Sequence, residues 1–247
     1  MNFPRFSIGS LCVLAGCTNA VDGMDLESLI ARHVEARGGE AAIEAVQSFE
    51  TDIRIVEPTF TVDGRYVATR DGRMRVDISV EGERIFTEAL DHGSAWSWSP
   101  GEGVRAASAQ GAAALRRGIE SPFKLFGLHE MRRRGHRLEL SGRESIDGVD
   151  YHVLQLTLDD GFESRYYVHP ESWLIARDRQ LRALHVDVNP ELEWIETVYD
   201  DYRAVDGVMY AHRQTERTLD SGELLATVTV SAIRLNRPVS DDRFRSP

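Results

Sequence analysis

Residues Arg73–Val80 read RMRVDISV. Met74, Val76, Ile78 and Val80 point one way, and Arg75, Asp77 and Ser79 the other. A strict period of two marks a strand with one face buried, since successive side chains leave a strand on opposite sides. The same alternation returns at Arg137–Leu140, where Leu138 and Leu140 share a face, and in YHVLQLTL (Tyr151–Leu158), where Leu154, Leu156 and Leu158 do. Trp96 and Trp98, two apart, also share a face. Between such runs stand Asp63-Gly64, Asp71-Gly72, Asp147-Gly148, Asp160-Gly161 and Asp206-Gly207. Asp-Gly suits the primed hairpin turn, whose central residues need positive φ. Recurring at strand-length intervals, these dipeptides predict an antiparallel meander.

Helical periodicity is confined to two places. Asp25 is placed to cap a helix carrying Leu26, Leu29, Ile30 and Val34, stopped by Arg37 and Gly38-Gly39. A second short helix is expected over Glu40–Gln47. In mid-chain, Ala106–Ile119 (AASAQGAAALRRGI) is rich in strong helix formers. Ser121-Pro122 then predicts another helix start, with proline at the first helical position. The order is two helices, about five strands, two helices, then about six strands. It predicts an α+β fold built on one large antiparallel sheet.

The two cysteines of the chain fall in SLCVLAGCTNA (Ser10–Ala20), behind an apolar run from Phe6. The run is too short for a membrane span, which needs about 20 apolar residues, and it reads as an export signal. Leu14-Ala15-Gly16-Cys17 resembles a bacterial lipobox. That resemblance implies removal of residues 1–16 and acylation of Cys17, followed by a tether over 17–24 and one domain over 25–247. In a Gram-negative cell, Thr18 in place of aspartate implies the periplasmic face of the outer membrane. Cys12 would leave with the leader, so the mature chain has no disulfide, thiol nucleophile or cysteine-ligated zinc.

The formal net charge of −11 disfavours nucleic acid as a partner, since such binding rests on lysine and arginine meeting phosphate, and none is expected. Catalytic signatures are missing: there is no G-x-S-x-G elbow and no phosphate loop. His129–His136 (HEMRRRGH) lacks the H-E-x-x-H spacing, and His185 with Asp187 offers too few ligands for zinc. No catalytic residue, metal or cofactor is therefore expected. Glu191, Glu193, Glu196, Asp200 and Asp201 read as solvated charge. MRRRGHR (Met131–Arg137) reads as a helix C-terminus whose arginines complement the dipole, with contact to lipid headgroups or an acidic partner as the alternative.

The stretch Gly72–Gly103 (GRMRVDISVEGERIFTEALDHGSAWSWSPGEG) resembles the outer-membrane lipoprotein carrier superfamily, the LolA/LolB-like proteins. The pattern is a basic strand, a hairpin, then a D-G-x-x-x-W strand, here Asp91–Trp96. Similar pieces follow in order: the hairpin at Gly142–Gly148, the tyrosine strand and turn at Tyr166–Ile175, the DYR-x-V-D-G-V hairpin at Asp201–Val208, and the Asn236–Pro247 ending. The resemblance implies a curved antiparallel half-barrel with helices over its concave face, enclosing acyl chains of a lipid or acylated protein. It covers nearly all of the mature chain. The lipobox departs from the soluble carriers, and the exposed-leucine loop of the acceptor is not recognisable.

Periodicity then places Val76, Ile78, Trp96, Trp98, Leu138, Leu140, Leu154 and Leu156 on the cavity face. It places Phe123, Phe126 and Leu128 on helices that close the mouth as a movable lid. The expected function is a lipid-anchored envelope protein that binds a hydrophobic ligand and is not an enzyme. The alternatives are an envelope scaffold with a filled core, working through protein partners, and, further off, a lipid or glycan hydrolase.

Overall fold

The structure, a computed structural model, describes residues 23–246. The leader, Leu14, Ala15, Gly16 and Cys17 all lie outside the described residues.

Asp25 caps α1 (Leu26–Ala36) by accepting a hydrogen bond from the Ser28 amide at 2.7 Å. The helix buries Leu29, Ile30 and Val34, and stops at Gly38 (φ +117°). A Cβ at Gly38 would stand 2.0 Å from the Gly207 carbonyl oxygen, so only glycine lets the helix end meet that turn. α2 (Glu40–Glu44) is shorter than expected. The Asn236 side chain accepts from the Gln47 and Ser48 amides at 2.7 and 3.4 Å, drawing the chain into the sheet where a helix would need those amides.

Six strands follow: β1 (Ser48–Val56), β2 (Thr61–Thr69), β3 (Arg73–Val80), β4 (Glu83–Asp91), β5 (Ser94–Ser99) and β6 (Gly103–Ala106). After α3 (Ala109–Glu120) come seven more: β7 (Arg137–Ile146), β8 (Val149–Thr157), β9 (Glu163–Val168), β10 (Ile175–Arg182), β11 (Glu193–Val205), β12 (Val208–Thr218) and β13 (Leu224–Leu235). All 13 belong to one open sheet in the order β6-β5-β4-β3-β2-β1-β13-β12-β11-β10-β9-β8-β7. The described pairings are antiparallel, and β13 on β1, in register from Phe49↔Leu235, joins two meanders into a curved half-barrel. The strand too many in the first meander is β6, whose four exposed residues carry no alternation.

Asp147-Gly148 and Asp206-Gly207 adopt positive φ at both positions, as primed turns require. Glu81-Gly82 and His92-Gly93 do the same without aspartate. Asp63-Gly64 is a correction: it lies inside β2. A Cβ at Gly64 would stand 2.9 Å from the Ile53 side chain and 3.2 Å from that of Ile78, so this glycine makes room for its cross-strand neighbours.

The helix expected at Ser121-Pro122 is also corrected. Ser121 ends α3, and only Leu128–Glu130 forms a single 3-10 turn. The Arg37 guanidinium donates to the carbonyls of Pro122 (2.7 Å), Phe126 (3.0 Å) and Phe123 (3.3 Å), and Arg70 donates to that of Leu125 (2.5 Å). Those carbonyls are the acceptors a helix would have used. Residues 122–131 are thus a plug held by two arginines. It packs with α1 and α3 on the concave face, over Phe49, Met74, Leu90, Leu154 and Tyr166. No helix among the described residues is long and apolar enough to cross a membrane.

Candidate functional site

The plug fills one end of the concave face and leaves a cavity of about 670 Å³ at the other. Its cover is α3 on one side, which presents Ala114, Leu115 and Gly118, and Phe123 with Lys124 from the plug. The loop over residues 183–192, between β10 and β11, closes the far end. That loop is strapped to the opposite wing. The His185 ring meets Glu88 on β4 at 3.0 Å and lies edge-on to Phe86. Asp187 accepts from the Ser108 amide at 3.2 Å, at the start of α3. The hydrogen bond to Glu88 raises the His185 pKa, against the pull of burial.

The lining is mixed. Apolar wall comes from Val76, Leu115, Leu158, Phe162, Val230 and Ile233. Polar groups gather on the other wing. Asp178 accepts from the Tyr199 hydroxyl (3.0 Å) and from Gln180 (3.2 Å), and Arg182 pairs with Glu216 (3.0 Å). Phe123 stacks on Tyr199, ring centroids 4.4 Å apart, and stands edge-on to Tyr166. Burial pushes the Asp178 carboxyl up to about 7 and the Lys124 ammonium down to about 8, because each charged form is removed from water. Such a pocket can hold an acyl chain against its apolar wall and a polar head near its tyrosines.

No family model and no curated protein matches the chain. Solved structures do. A LolA superfamily protein from Nitrosomonas europaea is 17% identical, with TM-score 0.57, over 90% of this chain and 98% of that one. A DUF1329 family protein from Desulfovibrio piger is 15% identical, with TM-score 0.58, over 89% and 96%. A domain assigned to outer membrane lipoprotein sorting, from Vibrio parahaemolyticus, is 13% identical, with TM-score 0.58, over 87% and 94%. The fold is LolA-like.

Within this LolA-like frame the residues expected in the cavity separate into three groups. Val76 lines it. Ile78 shares the face of Val76 further along β3, and Leu138, Leu140, Leu154 and Leu156 lie on the same concave face but are packed into the core. Trp96 and Trp98 are a correction, since they face the other way. Trp96 pairs with Ala89 while its neighbour Ala95 pairs with the core residue Leu90. The convex surface there is covered by the C-terminal segment: the Trp96 indole donates to the Phe244 carbonyl at 2.8 Å, and Phe244 is fully buried. Trp98 lies under the Arg84 guanidinium, 4.2 Å from the ring centroid.

The lid is corrected as well. Phe126 and Leu128 are core residues at 1% exposure, and only Phe123 reaches the cavity. Among the cavity residues that sequence missed are the polar Lys124, Asp178 and Tyr199 and the apolar Leu115, Phe162 and Val230. Asp178 and Tyr199 sit at alternating positions of their strands, and polar atoms at core-facing positions were the available signal.

The basic island follows a single 3-10 turn rather than an α-helix, and its arginines 132–134 are paired. Arg132 pairs with Glu27, Arg133 with Glu44 (2.6 Å), and Arg134 with Glu120 (3.8 Å) while lying over the Phe126 ring. One metal-sized cluster exists among the described residues: Glu40, Glu44 and His129 bring ligand atoms within 4.8 Å of one another. Glu44 is already held by Arg133, which a metal would have to displace.

Proposed function

We propose that this chain is an exported lipoprotein, anchored through Cys17, that binds a hydrophobic ligand such as lipid or protein-linked acyl chains in the concave cavity and performs no catalysis. The observation that carries the proposal is the cavity itself. A domain interior is ordinarily packed to crystal density, yet here about 670 Å³ stays open between sheet and cover, within the usual range for ligand pockets. The LolA-like fold and the lipobox motif support the same reading. Residence on the periplasmic face of the outer membrane belongs to the proposal.

The test is displacement of a fluorescent fatty acid from the mature domain without its lipid, with Val76→Glu beside wild type. Saturable binding by wild type, lost in a folded variant, supports the carrier. No binding by wild type would leave the scaffold alternative. For the anchor, Cys17→Ala should move the protein from the membrane to the soluble envelope fraction, and a variant that stays on the membrane would refute the lipobox.

A further inference from the structure

Among the described residues, the charged groups lining the cavity are held by ion pairs or, like Asp178, which also lacks a cation partner, by close hydrogen bonds; Lys124 is held by neither. Arg117 pairs with Asp160 at 2.7 Å, Arg182 with Glu216 at 3.0 Å, and His185 with Glu88 at 3.0 Å. Arg37 is consumed by three plug carbonyls. Lys124 has no carboxylate within ion-pair distance among the described residues. Its ammonium donates weakly to the Gly118 carbonyl at 3.4 Å and lies 5.1 Å from the centroid of the Tyr66 ring. Asp178 acts on it only from further away, and is already bonded to Tyr199 and Gln180.

The position of this lysine is fixed. Its carbonyl accepts from the Tyr210 hydroxyl at 3.1 Å, and the residues on either side are held by Arg37 and Arg70. Phe123 beside it is stacked on Tyr199. A half-buried cation that faces a cavity without a counter-ion is unfavourable, and the nearest groups to this one are a carbonyl and an aromatic ring. Replacing it by an apolar residue would relieve the empty protein, so its placement makes sense when something anionic sits opposite.

We infer that Lys124 is the counter-ion for the head of an anionic, single-chain amphiphile, whose carboxylate or phosphate sits at Lys124 and whose acyl chain runs along Val76, Leu115 and Val230. This rests on the ligand-binding proposal for the cavity and narrows it to a ligand class. The ammonium, lowered to about 8 by burial, is still mostly charged at neutral pH and regains stability when an anion arrives.

The experiment is competition against a dansyl-labelled fatty acid by hexadecanoate, hexadecyl phosphate and hexadecanol, which share a chain and differ in the head. Wild type should take at least one anionic head about tenfold more tightly than hexadecanol, the size expected of one charge-assisted hydrogen bond. Which anion wins separates a fatty acid from a phosphate-headed lipid. Lys124→Met should erase that preference and keep the hexadecanol affinity within about threefold, while Lys124→Arg should retain it. Hexadecanol bound by wild type as well as the anions overturns the inference and leaves the carrier standing. So does a preference that survives in Lys124→Met. No binding of any of the three removes the carrier and this inference together. The wild-type comparison needs no variant, so a misfolded Lys124→Met cannot shelter the idea.

Discussion

The two ends of the half-barrel are built from the same strands and differ in what lies between sheet and cover. At the plugged end, Leu125, Phe126, Leu128 and Met131 are at most 1% exposed, and two arginines bind the plug's carbonyls. At the other end the cover is an alanine-rich helix and a strapped loop, and the space is open. The exposed large apolar side chains gather at this second end. Val56, Phe60, Val80, Ile85, Val104, Leu181, Leu184, Val188, Leu192 and Trp194 all lie in or beside the turns after β1, β3, β5 and β10. A curved sheet does not by itself make a pocket. The larger space remains where the cover lacks bulk; at the plugged end an opening of about 560 Å³ is left only between α3, Arg134 and the turns after β2 and β4.

Removing side-chain bulk from each end should give unequal losses of stability. Phe126→Ala should cost about 3–5 kcal/mol in urea unfolding, the range for a buried phenylalanine. Val188→Ser, in the exposed loop, should stay within about 0.5 kcal/mol. Similar values for the two would mean that the plug is not the stabilising element.

Two buried groups, Asp178 and His33, should also answer pH in opposite senses. In the cavity, the Asp178 pKa is raised from 3.8 to about 7 by burial. The folded state then holds a proton that the unfolded chain releases, so this contribution is complete below about pH 4 and is lost as pH rises through 7. Asp178→Asn should therefore stabilise the protein by about 2–4 kcal/mol near pH 8 and change little near pH 4. Equal effects at both pH values would show that the carboxyl is not held neutral.

Beside the plug, His33 is buried and its Nδ1 donates to the Trp173 carbonyl at 2.8 Å. Burial, with Arg37 adding to it, lowers its pKa from 6.5 to about 3. Here the unfolded chain binds the extra proton, so stability is full above about pH 6.5 and is lost as pH falls toward 3. At pH 5 the loss is about 2 kcal/mol. Thermal unfolding of His33→Gln should show a shallower fall from pH 7 to 5 than wild type, and an unchanged slope would remove His33 from the account. Over pH 4–6.5 the two groups oppose each other, so each slope is clearest when the other group is substituted.

The smallest effect concerns the acidic cluster at α2. With Arg133 on Glu44, one equivalent of zinc should shift the Tm by less than about 1 °C, since stabilisation needs free metal well above its Kd. A larger shift, abolished by His129→Ala, would make the cluster a metal site.

Much of the sheet was legible in the chain. RMRVDISV sits in β3 with the faces that its alternation assigns, and four of the five Asp-Gly pairs fall in turns. Strand alternation and turn chemistry are local, settled by side chains a few residues apart. Gly64 was misjudged because its demand comes from Ile53 and Ile78 on neighbouring strands.

Of the residues expected around the cavity, Val76 and Phe123 line it. Trp96 was assigned to the wrong face because its cover, Phe244, is 148 residues away. A strand's period tells which residues travel together, and not which side of the sheet will be covered. The helix signal at Ser121-Pro122 was overridden by Arg37, 85 residues before Pro122. The chain's local chemistry therefore determined an antiparallel α+β meander. The division of its concave face into a plugged end and an open end was decided by tertiary contacts, because the packing and hydrogen bonds that fill or spare that space join residues far apart in sequence.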